Sequence, residues 1–178
     1  MLGIQPQHTP QTVYNLEVQG QHVFRVTSNG LLVHNSYGPR GVSGPANVRV
    51  RTGASGEIRS AFAKIEPGNI GQGTATNASS RAFAQRLGNA TDDAGHAIGK
   101  NLGGSGGVRG RQIFPQAPSV NRGAFNQFEQ QIVRRVAAGD SVFTRVVPRY
   151  QNGSTRPFEI LYQVRINGQT ISIPFPNP

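Results

Sequence analysis

Hydrophobic positions along this chain follow two periodicities, and each predicts a different element. Phe158, Ile160, Tyr162, Val164 and Ile166 recur at every second position, the spacing of a strand with one buried face. Asn167-Gly168 predicts a tight turn back into Thr170-Ile171-Ser172-Ile173. Val142 to Val147 predicts a further strand, and Val48-Arg49-Val50 and Ala61 to Ile65 two shorter ones. Phe125, Phe128, Ile132 and Val136 recur instead at helical spacing. They predict a helix from about Asn121 to Ala138, with Asn121 as a capable N-cap and Gly139 as its stop. A shorter helix is expected from Ser79 or Ser80, either of which can cap it, through Leu87 to a stop at Gly88. Residues 67–78 read as loop. The pattern is α+β with antiparallel hairpins and no internal repeat.

Ahead of this body stands a small all-β unit, residues 1–35. Thr12 to Val18 alternates at period two, His22 to Val26 predicts a second strand, and Asn29-Gly30 turns the chain into Leu31-Leu32-Val33. Residues 36–48 are rich in Gly, Pro and Ser, the composition of a linker. The main domain is expected over 49–178.

Charge changes the picture most. Eighteen Lys and Arg stand against eight Asp and Glu in 178 residues, a net charge of +10. Only Lys64 and Lys100 are lysines, so the excess is almost all arginine, whose planar donor fork suits phosphate and stacks on bases. A polyanionic partner is expected. With no cysteine, a disulfide framework, a thiolate zinc site and a cysteine nucleophile are excluded. No apolar run approaches the roughly 20 residues of a membrane helix, so no membrane-spanning segment is expected.

Of the four histidines, His8, His22 and His34 lie in or before the β unit, and only His96 falls in the basic region. It closes Asp92-Asp93-Ala94-Gly95-His96, shortly before the glycine-rich stretch Gly103 to Gly107. A neutral imidazole needs only a suitable neighbour to act as a base near pH 7. Downstream come Gln112-Ile113-Phe114-Pro115-Gln116, a Pro-containing loop by this reading, then Asn121-Arg122-Gly123-Ala124-Phe125 and Glu129. At about 100° per residue Glu129 falls near the side of Asn121. An amide oxygen, a carboxylate and a nearby imidazole make a hard-ligand site suited to Mg²⁺. Asn121 as a simple helix cap is the competing reading.

These three pieces, in this order, resemble the DNA/RNA non-specific endonucleases of the ββα-metal (His-Me finger) type, in their bacterial toxin branch. The resemblance covers roughly residues 48–173. It implies His96 as general base, Asn121 as ligand of a single, largely hydrated Mg²⁺ (or Mn²⁺), and Glu129 behind that water shell. Two positions depart from the family pattern: Ala94 stands where many members carry Arg, and Gln112 where many carry Asn. The arginine that stabilises the transition state must then come from elsewhere. Arg81, Arg109, Arg111 and Arg122 are the candidates for this and for gripping phosphates, and Arg122 is also counted with the catalytic group. The β unit in turn resembles the last strands of a Hint (intein-like) domain, as found ahead of toxins in Rhs-type polymorphic proteins. Its N-terminal nucleophile block is absent, so His34 and Asn35 count as remnants.

The implied function is Mg²⁺-dependent hydrolysis of DNA, with RNA chemically accessible because no 2′-OH is required. The implied setting is the C-terminal toxin of a secreted or delivered effector, acting in the target-cell cytoplasm and neutralised by an acidic immunity protein. Two other classes compete: a basic nucleic-acid-binding module without catalysis, and a folded structural tail. Removal of divalent metal separates the first two, since a binder keeps its grip and a nuclease stops cutting.

Overall fold

The computed structural model describes residues 23–26, 31–34 and 44–178. The chain divides into two compact units, with the boundary between Ser36 and Tyr37. In the first, β1 (Val23–Val26) pairs antiparallel with β2 (Leu31–His34), Val26 opposite Leu31. The strand expected at 12–18, the turn at Asn29-Gly30 and Asn35 lie outside the described residues, as does most of the expected linker.

The second unit is built on a five-stranded antiparallel sheet of order β3-β4-β7-β8-β9. Its strands are β3 (Arg49–Thr52), β4 (Ile58–Ile65), β7 (Val142–Arg149), β8 (Glu159–Ile166) and β9 (Gln169–Pro176). Strand side chains alternate between faces. Ala61, Ala63, Val142, Val146, Ile160, Tyr162 and Val164 therefore all point into one core and are essentially inaccessible. Asn167 and Gly168 take positive φ of 49° and 89°, which gives β8–β9 the two-residue turn the sequence predicts.

Helix α3 (Asn126–Ala137) covers the inner face of this sheet, burying Ile132 and Val136. Phe125, just before it, and Phe128 pack on Tyr162, with ring centroids 5.3 and 5.1 Å apart. Gly139 ends the helix as expected, at φ 89°. Helix α1 (Ala78–Leu87) is capped two or three residues earlier than predicted. Asn77 is its cap, accepting from the Ser80 N–H while its own N–H donates to the Ser80 hydroxyl.

Between α1 and α3 the structure departs from the sequence reading. Asp93–His96 forms strand β5, and Ile113–Gln116, expected as loop, forms β6 antiparallel to it. All four residues of β6 are buried, because Ile113 packs towards α1 while Phe114 enters the main core. Burial on both faces removes the alternation that marks a strand. The helix after β6 also begins earlier than expected. It opens as α2 (Pro118–Val120), passes through a wide turn at Asn121–Phe125 kinked at Gly123, and continues as α3. Two short antiparallel strands followed by this kinked helix make a ββα unit against the sheet.

Candidate active site

His96 closes β5 and is half-buried. Its Nε2 lies 3.0 Å from the Thr74 carbonyl oxygen. A carbonyl can only accept, so Nε2 carries the proton and Nδ1 of the neutral ring holds a free lone pair. Thr74 is itself fixed by the glycine-rich stretch: its N–H donates to the Gly104 carbonyl, and its hydroxyl accepts from the Gly106 N–H, both at 3.0 Å. That stretch thus positions the carbonyl that sets the histidine tautomer. Burial pushes the His96 pKa below 6.5. The Thr74 bond opposes this and the Lys100 ammonium adds to it. The ring is therefore neutral, with Nδ1 available, at pH 7.

Asp92 and Asp93, adjacent in sequence, serve opposite sides of the strand. Asp92 is buried and takes both the Nε and Nη2 of Arg156, at 2.8 and 2.9 Å, tying the hairpin to the chain before β8. Asp93 faces the start of the kinked helix. Its Oδ2 accepts from Asn121 Nδ2 at 3.0 Å, and its two oxygens accept from Arg122 Nε and Nη2 at 2.8 and 2.6 Å. The Arg122 bond, with Asn121 helping, outweighs desolvation and holds the Asp93 carboxyl below its ordinary pKa, while Arg122 is held above its own.

This contact corrects the helix-cap reading of Asn121. The residue has helical φ and ψ of −57° and −49°, lies within the helical run, and is not its N-cap. Because Asp93 can only accept, the Asn121 amide must present Nδ2 to it, which leaves Oδ1 without a protein partner among the described residues. A neutral oxygen held in one orientation is a hard donor for a divalent cation.

Glu129 lies deeper, 7% exposed. Its Oε1 accepts from the Gly99 N–H at 2.8 Å and the Tyr162 hydroxyl at 3.4 Å. A Cβ at position 99 would overlap the carboxylate, so only glycine admits this close approach. Burial outweighs both hydrogen bonds and pushes the carboxyl up to about 8. Glu129 and Asn121 make no hydrogen bond to each other. Each is instead tied to a different end of the β5 segment, Asn121 through Asp93 and Glu129 through Gly99.

Among the described residues no three His, Asp or Glu side chains gather as a metal cluster. The buried Gln116 amide, opposite Asp93 in the hairpin, has no partner on either Nε2 or Oε1. That unused polar capacity fits a hydrated guest. Gln112, considered above as a stand-in for Asn, is buried and accepts from the Ser105 N–H at 3.0 Å, so it braces the glycine loop.

Of the four candidate arginines, the structure joins only Arg122 to this cluster. Arg81 is exposed on α1. Arg109 and Arg111 are exposed at the turn of Val108–Gly110, which packs beside α1. Sequence reasoning gave no role to Asp93 or Thr74. Asp93 stood in the motif beside an identical neighbour, and Thr74 contributes a backbone carbonyl that no side-chain pattern signals.

His96 ends the first strand of the β5–β6 pair, and the kinked helix after the pair presents the Asn121 amide, the arrangement of elements of the ββα-metal nucleases. Residues 58–168 match the family model for DNA/RNA non-specific endonuclease, and the chain belongs to that family. It is 46% identical over 119 residues to the probable deoxyribonuclease RhsA of Dickeya dadantii (strain 3937). The match takes in 67% of this chain and 8% of that protein, so the chain spans a small part of the relative's length. Among solved structures it is similar in fold to magnesium-bound NucA from Streptococcus agalactiae. The TM-score is 0.55 at 16% identity, covering 90% of this chain and 86% of the other. Zinc-bound Sda1 nuclease superposes with a TM-score of 0.58 at 11% identity, covering 83% and 77%.

Proposed function

We propose that this chain is a Mg²⁺-dependent (or Mn²⁺-dependent) endonuclease that hydrolyses DNA with little regard to sequence and serves as the toxin end of an Rhs-type effector. The observation that carries this reading is the polar relay around β5. Asp93 turns the Asn121 oxygen outward, while the Thr74 carbonyl frees His96 Nδ1. The magnesium in NucA and the zinc in Sda1 support a divalent ion, and the name of the Dickeya relative supports DNA as substrate.

In this mechanism His96 Nδ1 takes the proton from a water that attacks phosphorus in line, and the 3′ oxygen leaves. Asn121 Oδ1 would hold the ion. When bound, the ion supplies Lewis-acid neutralisation of the charge gathering on the phosphate oxygens. Asp93 keeps Asn121 in register and holds the Arg122 guanidinium beside it, where it can clamp a phosphate. Glu129 fixes the segment after His96 through Gly99. Its Oε2, which accepts no hydrogen bond among the described residues, would serve the water around a bound ion once the carboxyl is ionised. Arg81, Arg109 and Arg111 grip flanking phosphates, contacts that position the substrate and carry no sequence information. RNA is cut by the same chemistry.

A delivered effector of this kind acts in the target-cell cytoplasm, and the producing cell needs an acidic immunity protein, drawn to the basic surface by complementary charge. No helix among the described residues is long and apolar enough to cross a membrane. The test is incubation with plasmid DNA and Mg²⁺, with and without EDTA. Cleavage that EDTA abolishes is expected. Retention of plasmid without cleavage in Mg²⁺ leaves only a binding module.

A further inference from the structure

The outer face of the five-stranded sheet, away from α3, carries a pattern that cleavage does not use. Cross-strand register aligns Lys64, Phe143 and Arg165 in one row and Arg49, Phe62 and Arg145 in the next. Phe62 is 41% exposed on β4, next to the central strand that carries Phe143. Its ring stacks on Phe143, with centroids 6.1 Å apart and planes within 23°, and the Arg165 guanidinium lies 4.6 Å over the Phe143 ring. Arg49, Arg145 and Arg165 form no ion pair among the described residues. Beside Phe62 a groove of about 700 Å³ runs over Arg49 to Pro45 and Asn47, bordered by Lys64, which pairs with Glu66 at 2.8 Å and is not counted among the free cations.

Cross-strand aromatic and basic pairs stabilise a sheet on their own. That role accounts for Arg165 on Phe143. It does not account for an exposed phenylalanine bordered by arginines that lack a carboxylate. Aromatic rings at the centre of an antiparallel sheet, with cations around them, are a stacking platform for unpaired bases, with the phosphates led along the rim. A duplex keeps its bases stacked inside and has no face to offer Phe62. We infer that this outer face binds single-stranded nucleic acid, with bases against Phe62 and Phe143 and phosphates on Arg49, Arg145 and Arg165, separately from the cleavage site. The ligand class differs from that of a protein-docking face, since an acidic protein satisfies the arginines and leaves the rings unstacked.

The inference is tested on the full chain in EDTA, by fluorescence anisotropy with a fluorescein-labelled oligothymidylate and with a short duplex of equal charge. Oligonucleotide integrity on a gel reports any cutting in EDTA, which would count against the metal-dependent reading and not against this one. Phe62→Ala is expected to weaken single-strand binding by roughly tenfold or more, the worth of one stacked base, and to leave duplex affinity nearly unchanged. Phe143→Leu, which keeps an apolar side chain in the sheet, should also weaken it. A bromodeoxyuridine oligonucleotide should photo-cross-link the unmodified chain at peptides of β4 or β7. The inference is overturned by any of three results: both variants binding as the parent does, cross-links confined to residues 93–137, or polyglutamate displacing the oligonucleotide as effectively as unlabelled oligothymidylate.

Discussion

The five-stranded sheet and the β5–β6 hairpin meet around the same helix and hold their shapes by different means. In the sheet the long strands have eight residues, alternate cleanly in β7 and β8, and draw stability from apolar side chains such as Ile160, Tyr162 and Val164. The hairpin strands have four residues each. Their placement depends on a few directional contacts: Asp92 to Arg156, Asp93 to Asn121 and Arg122, and His96 to the Thr74 carbonyl. Apolar packing tolerates replacement of like by like. Charge-assisted hydrogen bonds fix orientation and fail when one partner is removed. The chemistry proposed above, which needs an oriented amide and one histidine tautomer, would therefore rest on the hairpin and the start of the kinked helix, with the sheet as support.

Substitutions on the two sides should separate activity from stability. The largest effect on rate short of the general base is expected at Asn121. Asn121→Ala should slow plasmid cleavage by more than about a hundredfold and raise the Mg²⁺ concentration required. Its melting temperature should fall only slightly, through loss of the bond to Asp93, since the residue is not a helix N-cap. A lower melting temperature with a normal Mg²⁺ response would return it to a structural role. Asp93→Asn, which keeps the shape and removes the charge, should cost about 10–100-fold.

On the sheet side, Ile132→Ala should destabilise the fold by about 2–5 kcal/mol in urea titrations. The Mg²⁺ response of the molecules that remain folded should not change. A shifted Mg²⁺ midpoint in that variant would mean that the core and the site are coupled and the division above is wrong.

Glu129 lies at the border of the two regions, and its effect depends on pH. Its carboxyl rises from 4.5 to about 8 on folding. Between those values the folded metal-free chain binds more protons than the unfolded chain, so this group takes away stability as pH rises from about 4.5 to 8. Glu129→Gln keeps an oxygen for Gly99 and Tyr162 and does not ionise. In EDTA the variant should melt several degrees above the parent at pH 8, and the two should converge near pH 4.5. Parallel melting curves across that range would remove burial as the cause. The smallest effect is expected from deletion of residues 1–35, which should leave the cleavage rate unchanged. An unfolded or inactive product would place the N-terminal hairpin within the catalytic domain.

The same division explains what could be read before the fold was known. Strands β7 and β8 and the stripe of α3 follow from single-face burial, so Val142 to Val147 and Phe158 to Ile166 located the two strands to within two residues; β9, mostly exposed, was announced by the Asn167-Gly168 turn and runs three residues beyond the expected Ile173. Strand β6 stayed hidden because Ile113 and Phe114 enter different cores and the whole segment is apolar. His96 and Asn121 stood out through their motif. Their environments did not, because Asp92 and Asp93 are the same residue type, and only the fold sends Asp92, in the turn before β5, to Arg156 and Asp93, the strand's first residue, to Asn121. Thr74 is 22 residues from His96 and acts through its carbonyl, so nothing in its side chain announces it.

The central claim is that His96 is the general base of a metal-dependent cleavage reaction. The most direct measurement is the plasmid cleavage rate of His96→Ala in Mg²⁺, on protein whose circular dichroism matches that of the parent. The expected result is a loss of roughly 10²–10⁴-fold with nucleic-acid binding in EDTA retained. Cleavage at the parental rate would contradict it.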